Sequence, residues 1–318
     1  MIGDWTQPPR MQEPVESVGK RASEIILIVL LGAMLVGALW LARRNYRQGR
    51  GDVDGAGRLA KIVFGLLFVL WLLRSHLVPG LATFGLMMLT ISTALFLSSL
   101  IFVLYLALEP YVRRYWPHAI ISWSRLLTGR FRDPLVGRDI LFGVLLGTVW
   151  ILVFKVGSLA AMRTGAAPAL LSTEYLVSTR HGLGVWVAQF SSAILGTLQF
   201  FFVFLGLKVV LKRDWLATIV FVSIFTVAKA LASNHAAVDA ITSAVVYLIL
   251  ALIVYRFGLV PLFCAIFTVD LLVNVPFTGD ISAWYFGTTM FALLSVVGLA
   301  IWGFYHSLGS EPVWATQP

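Results

Sequence analysis

Apolar residues in this chain gather in runs longer than a strand or an ordinary core helix uses. A hydrocarbon layer of ~30 Å takes about 20 residues of helix. Nine runs approach that length: 24–42, 59–73, 81–108, 139–156, 183–210, 216–231, 240–254, 259–275 and 284–305. Arg43, Arg44, Arg47 and Arg50 close the first, Arg74 and Gly80 the second, and Lys212-Arg213-Asp214 the fifth. The pattern predicts an all-α, polytopic transmembrane bundle of about nine spans. A sheet is excluded because an open edge in lipid strands its backbone groups, and the alternation of barrel strands is absent.

The break at 109–138 is polar, carries six arginines and predicts a cytoplasmic elbow. Within it, 118–127 has the period of an amphipathic helix. Ile120, Ile121, Trp123, Leu126 and Leu127 are expected to face the bilayer while Arg125 reaches for headgroups. Arg113, Arg114, Arg125, Arg130, Arg132 and Arg138 are the residues expected to meet anionic lipid or a docking protein. Three regions follow: a polar tail at 1–22, a multipass domain at 23–308 and a tail at 309–318. The first of these holds Pro8, Pro9 and Pro14, so it does not read as a cleavable signal.

Composition agrees with a lipid solvent. Of 318 residues, 59% are hydrophobic and 12% charged, with mean hydropathy +0.89. A soluble domain carries about 25% charged residues. The net charge of +9 does not indicate nucleic acid, because the basic residues punctuate apolar runs and form no continuous face. Sixteen of the 24 lysines and arginines fall in alternate connections, beginning with Arg43. The positive-inside rule then sets the N-terminus outside and the C-terminus in the cytoplasm. Cys264 is the single cysteine, so neither an internal disulfide nor a thiolate cluster can form. No metal or cofactor signature appears.

Ionisable groups inside a span need a partner or water. Asp270 lies well within the eighth run with Asn274 one turn on, while Asn234, His235 and Asp239 cluster where the seventh begins, just past Lys229. A Lys229–Asp239 or Lys229–Asp270 pair would bury opposite charges together. These six residues are the candidate ligand or ion path, and 163–181 is a candidate outer loop for a ligand. Gly143-x-x-x-Gly147 permits close helix approach, within the chain or between copies. Gln189 and Gln199 suit interhelical hydrogen bonds, and Trp150, Trp186, Trp215 and Trp284 suit an interfacial belt.

Catalytic candidates are sparse. Glu109-x-x-x-Arg113 resembles part of the Glu-Glu-x-x-x-Arg motif of prenyl-endopeptidase-type intramembrane proteases, with His235 and His306 as loose counterparts of the remaining motifs. Leu108 stands where the first glutamate is needed, which leaves no evident base for an activated water. Nucleotide-binding, kinase, serine-hydrolase and zinc-protease motifs are absent.

Four segments, IGDWTQPPRM, LALEPYVRRYWPHAIISWSRLLTGRFRDPLVGRD, LKRDWLA and DISAWYFGTTMFALLSVVGLAIWGFYHSLGS, together resemble the C-terminal multipass region of acidobacterial-type serine/threonine protein kinases. The resemblance implies a non-catalytic sensor or anchor in a signalling system of a bacterial inner membrane, with a kinase or other signalling protein as partner. It carries over no catalytic residue, since the kinase motifs have no counterpart here. A small-solute or ion transporter built on Lys229 and Asp270 stands as the alternative, and an intramembrane hydrolase as a further one.

Overall fold

A computed structural model of the chain describes residues 17–75, 78, 80–166 and 173–309. Most of the 1–22 tail, nearly all of the 309–318 tail and the middle of the 163–181 loop lie outside them. Among the described residues there are ten α-helices and no strand: α1 (Val18–Arg47), α2 (Val53–Arg74), α3 (Leu81–Tyr115), α4 (Pro117–Leu127), α5 (Pro134–Arg163), α6 (Thr179–Leu211), α7 (Asp214–Leu231), α8 (Ala236–Leu252), α9 (Leu259–Val273) and α10 (Phe286–Ser307). Eight are long and apolar enough to cross a membrane, with α8 extended by a π-helical turn to Phe257. The chain is a multipass all-α bundle.

The helices overrun the apolar runs because their ends are capped. Ser17 accepts the Lys20 N–H at the start of α1. Asp133 accepts the Leu135 N–H at 3.0 Å, and Pro134 occupies the first turn, so α5 begins five residues before its apolar run.

The eighth apolar run becomes a helix, but a short one. At 15 residues, α9 is about 22 Å long, less than the ~30 Å hydrocarbon core. It packs on α5 and α6, with α4 across its start and α10 beside it. Eleven of its residues are buried, Leu262 and Ala265 completely. Gly143 and Gly147 make this possible. A Cβ on Gly143 would sit 2.6 Å from the Pro261 carbonyl oxygen, and one on Gly147 would sit 2.7 Å from that of Ala265. The Gly-x-x-x-Gly pair therefore seats α9 within the chain.

Close approaches between helix ends give the layering. Gly19 meets Leu231, Gly184 meets Arg74, and Gly157 meets Thr242 at one end. Gly137 meets Gly303 and His306, and Gly258 meets Ala119, at the other. The start of α1 and the close of α10 therefore lie at opposite ends of the bundle. The second end carries Arg43, Arg44, Arg47, the elbow arginines, Lys208 and Arg213, and is the basic end of the bundle.

The orientation of α4 corrects an expectation. Its apolar face turns into the protein rather than towards the bilayer: Ala119, Ile120, Ser122 and Trp123 are buried, and only Ile121 of the apolar set is well exposed. Trp123 packs edge-on to Phe263 of α9, ring centroids 6.2 Å apart. Gly258, at φ 108°, lets the α8–α9 turn pass directly over Ala119; a Cβ there would stand 2.6 Å from the Ala119 Cα. The amphipathic helix is a lid on the bundle's basic end.

Candidate functional site

Two polar regions stand out, one at each end. At the basic end the elbow carries three ion pairs, of which Arg125–Asp133 bridges from α4 to the start of α5. Arg113 reaches Glu109 at 2.6 Å, Arg125 reaches Asp133 at 2.6 Å, and Arg138 reaches Asp139 at 3.3 Å. Both Glu109 and Asp139 are buried, so each arginine supplies a countercharge while its exposed flank remains at the surface. Burial pushes the Asp133 carboxyl upward, but the Arg125 hydrogen bond, the Leu135 N–H and the Arg125 and Arg130 charges together outweigh it and hold the group below the usual carboxylate range. Arg114 lies over the Tyr115 ring at 5.5 Å, and Arg130 and Arg132 are exposed. Of the six arginines expected to meet headgroups or a partner, three are thus tied to carboxylates that brace the elbow and three point outward.

Beneath the elbow lies a polar knot that composition and spacing did not reveal. Pro110 sits inside α3. Lacking an N–H, it cannot bond the carbonyl of Leu106, four residues back. Asn45, buried at the end of α1, donates its side-chain amide to Leu106 O at 3.0 Å and to Ala107 O at 3.2 Å. The Asp52 N–H donates to Glu109 Oε2 at 3.3 Å, tying the α1–α2 turn to the same turn of α3. The Tyr105 hydroxyl is buried beside the Asp52 and Glu109 carboxylates. A proline near a span's end is the only sequence signal for this arrangement. Asn45, 61 residues before the Leu106 carbonyl it bonds, is given by the fold alone.

At the opposite end the six candidate path residues divide into two groups. Lys229 and Asn234 are exposed, and His235 sits 3.3 Å from the Thr164 hydroxyl at the close of α5. Asp239 is half-buried on the first turn of α8. Asp270 belongs elsewhere: its Oδ2 accepts from the Ser192 hydroxyl of α6 at 3.0 Å, and its main-chain oxygen accepts from the Asn274 amide at 3.1 Å. No ion pair joins Lys229 to Asp239 or Asp270 among the described residues. The expected charge pairing is replaced by a hydroxyl contact because α7 and α8 pack together on one flank, while α9 is enclosed by α5 and α6.

Asp270 has further company. A 3₁₀ turn, Glu174–Leu176, buries Tyr175 against the start of α6, where the Gln189 amide lies 3.4 Å from its hydroxyl. Burial pushes the Tyr175 phenol above its ordinary range; the Gln189 contact opposes this and the nearby Asp270 and Glu174 charges reinforce it. Arg74 pairs with Glu174 at 2.9 Å, and Arg180 donates to the Leu72 carbonyl, so the turn is latched to the end of α2. A cleft of ≈ 470 Å³ opens beside Tyr175, lined in part by Thr179, Trp284, Thr288 and Phe291. Trp284 is exposed as an interfacial residue should be, but Trp186 is not a belt residue: it packs with Phe190, Phe267 and Phe291.

The residues of the protease-like reading do not converge. Glu109 is engaged by Arg113 at the basic end, and His235 lies at the other. His306 donates Nδ1–H to the Trp302 carbonyl of its own helix at 2.9 Å. Among the described residues no three His, Cys, Asp or Glu side chains come together in a way that could hold a metal ion. Comparison with protein-family models, curated proteins and solved structures gives no match.

Proposed function

We propose that the chain is a non-catalytic sensor and anchor module of a bacterial serine/threonine-kinase-like signalling system, with its basic end in the cytoplasm. One observation carries the reading. The buried helix α9 runs from the α4 lid, where Gly258 rests on Ala119, to the polar cluster of Asp270, Ser192 and Tyr175 beside an open cleft. A ligand that displaces Tyr175 or Asp270 would bear on a helix whose other end sets the lid. Sixteen basic residues on the alternate connections support the orientation under the positive-inside rule. The elbow on either side of the lid offers outward arginines, Arg114, Arg130 and Arg132, to an acidic partner or anionic headgroups. The family resemblance of the elbow segment supplies the kinase as the partner class.

The test is co-reconstitution of the full chain in liposomes with the kinase domain of such a system. Phosphotransfer that depends on the chain and changes with Asp270→Asn bears the proposal out. Proton or solute flux that needs Asp270 and Lys229 would replace it with the transport reading.

A further inference from the structure

An apolar groove on the flank of the bundle lies apart from the elbow and from the Asp270 cluster. Helix α1 rests on α7 near its start and on α3 near its end, and between these supports it stands off α6. The gap is a groove of ≈ 590 Å³, within the range of small-ligand sites. Leu30, Gly37 and Arg44 line it from α1, and Phe202, Gly206 and Val210 from α6. Its α1 wall keeps a helical period of three and four residues from Leu30 to Arg44, a rise of about 21 Å. One leaflet of hydrocarbon is about 15 Å deep, half of the ~30 Å core.

The groove's polar groups lie towards the basic end. Arg44 stands over the exposed Trp40 ring at 5.5 Å, and Tyr111 of α3 closes that end of the wall. Unlike Arg113, Arg125 and Arg138, Arg44 has no carboxylate partner among the described residues. Arg43 and Arg47, also exposed, flank it. A slot with apolar walls that ends in unneutralised cations and an exposed indole has the shape and charge complement of a lipid. We propose that the groove holds an acyl chain of a phospholipid whose anionic headgroup is bound by Arg44. A second copy of the chain would bring the same uncompensated arginines together, so charge favours the lipid.

Native mass spectrometry of the full chain in mild detergent, titrated with phosphatidylglycerol or phosphatidylcholine, tests this. The first bound lipid should favour phosphatidylglycerol by about fivefold, the effect of one basic residue near the headgroup. Arg44→Gln should abolish that preference, and Arg44→Lys should keep most of it. Gly206→Leu should lose the first lipid of either type, and it should fold, because a Cβ at Gly206 meets no atom within 4 Å. The proposal is overturned if the preference survives in Arg44→Gln or if Gly206→Leu binds lipid unchanged. A lipid-free dimer, or displacement of the lipid by soluble glycerol phosphate, overturns it as well.

Discussion

Asn45 supplies to the Leu106 carbonyl the hydrogen bond that Pro110 withholds. A buried carbonyl without a donor is destabilising, and here a side chain from another helix provides one where the helix itself cannot. The contact also fixes the close of α1 against the elbow.

Replacing Asn45 with Ala should therefore destabilise the protein by about 1–3 kcal/mol, the cost of leaving buried acceptors unpaired. Pro110→Ala restores a backbone N–H at that turn. In the Pro110→Ala background the Asn45→Ala loss should shrink to a small fraction. A double-mutant cycle by thermal unfolding in detergent measures the difference, and equal losses in both backgrounds would refute the link.

Gly143 and Gly147 make a second prediction. Gly147→Val drives a branched side chain into the Ala265 backbone and the Thr268 side chain of α9 and should cost about 1–3 kcal/mol or more through overpacking. The same change at Gly65, where a Cβ meets nothing within 4 Å, should leave the melting temperature nearly unaffected.

The Asp133–Arg125 contact should respond to acid. Its folded-state carboxyl is held below the ordinary value, so its stabilising contribution is complete above the unfolded pKa of about 4 and fades as pH falls through the lower folded one. Hydrogen-exchange protection across 128–137, taken relative to the intrinsic rate at each pH, should therefore fall below about pH 4 in the wild type. Asp133→Asn should show the lower protection at neutral pH already, with little further change on acidification.

Orientation is open to labelling. Cys264 is fully enclosed by α5 and its neighbours, so the folded wild type should resist maleimide. Introduced cysteines at Thr164 and Arg130 lie at opposite ends of the bundle. In intact cells a membrane-impermeant maleimide should modify the Thr164→Cys protein and spare Arg130→Cys until the membrane is opened. The reverse pattern would invert the bundle.

Much of the architecture was legible in the sequence because the length of an apolar run is set by the solvent it must cross. All nine runs are helices, and Gly143-x-x-x-Gly147 announced a close approach. The facing of α4 was not legible. Ile120 and Trp123 repeat with the same helical period whether the apolar side meets lipid or protein, and only the neighbouring Gly258 turn decides. Asp270 posed a similar difficulty. Its need for a partner was plain, but hydroxyls are spread through every span, and nothing local marked Ser192 rather than Lys229 as the group α6 brings within 3.0 Å. The Asn45–Pro110 relation depends on two helix ends meeting across the bundle, a matter of tertiary placement.

The brevity of α9 has a bearing on biogenesis. Too short to bridge the hydrocarbon unaided and carrying an aspartate near its close, it gains little by entering lipid alone, and its oily surface is matched to the flanks of α5 and α6 instead. Both of those flanks are synthesised earlier, so the segment settles into a berth its elders have already built. Early spans that pack badly would leave this late arrival stranded at the membrane's edge, the lid above it unseated.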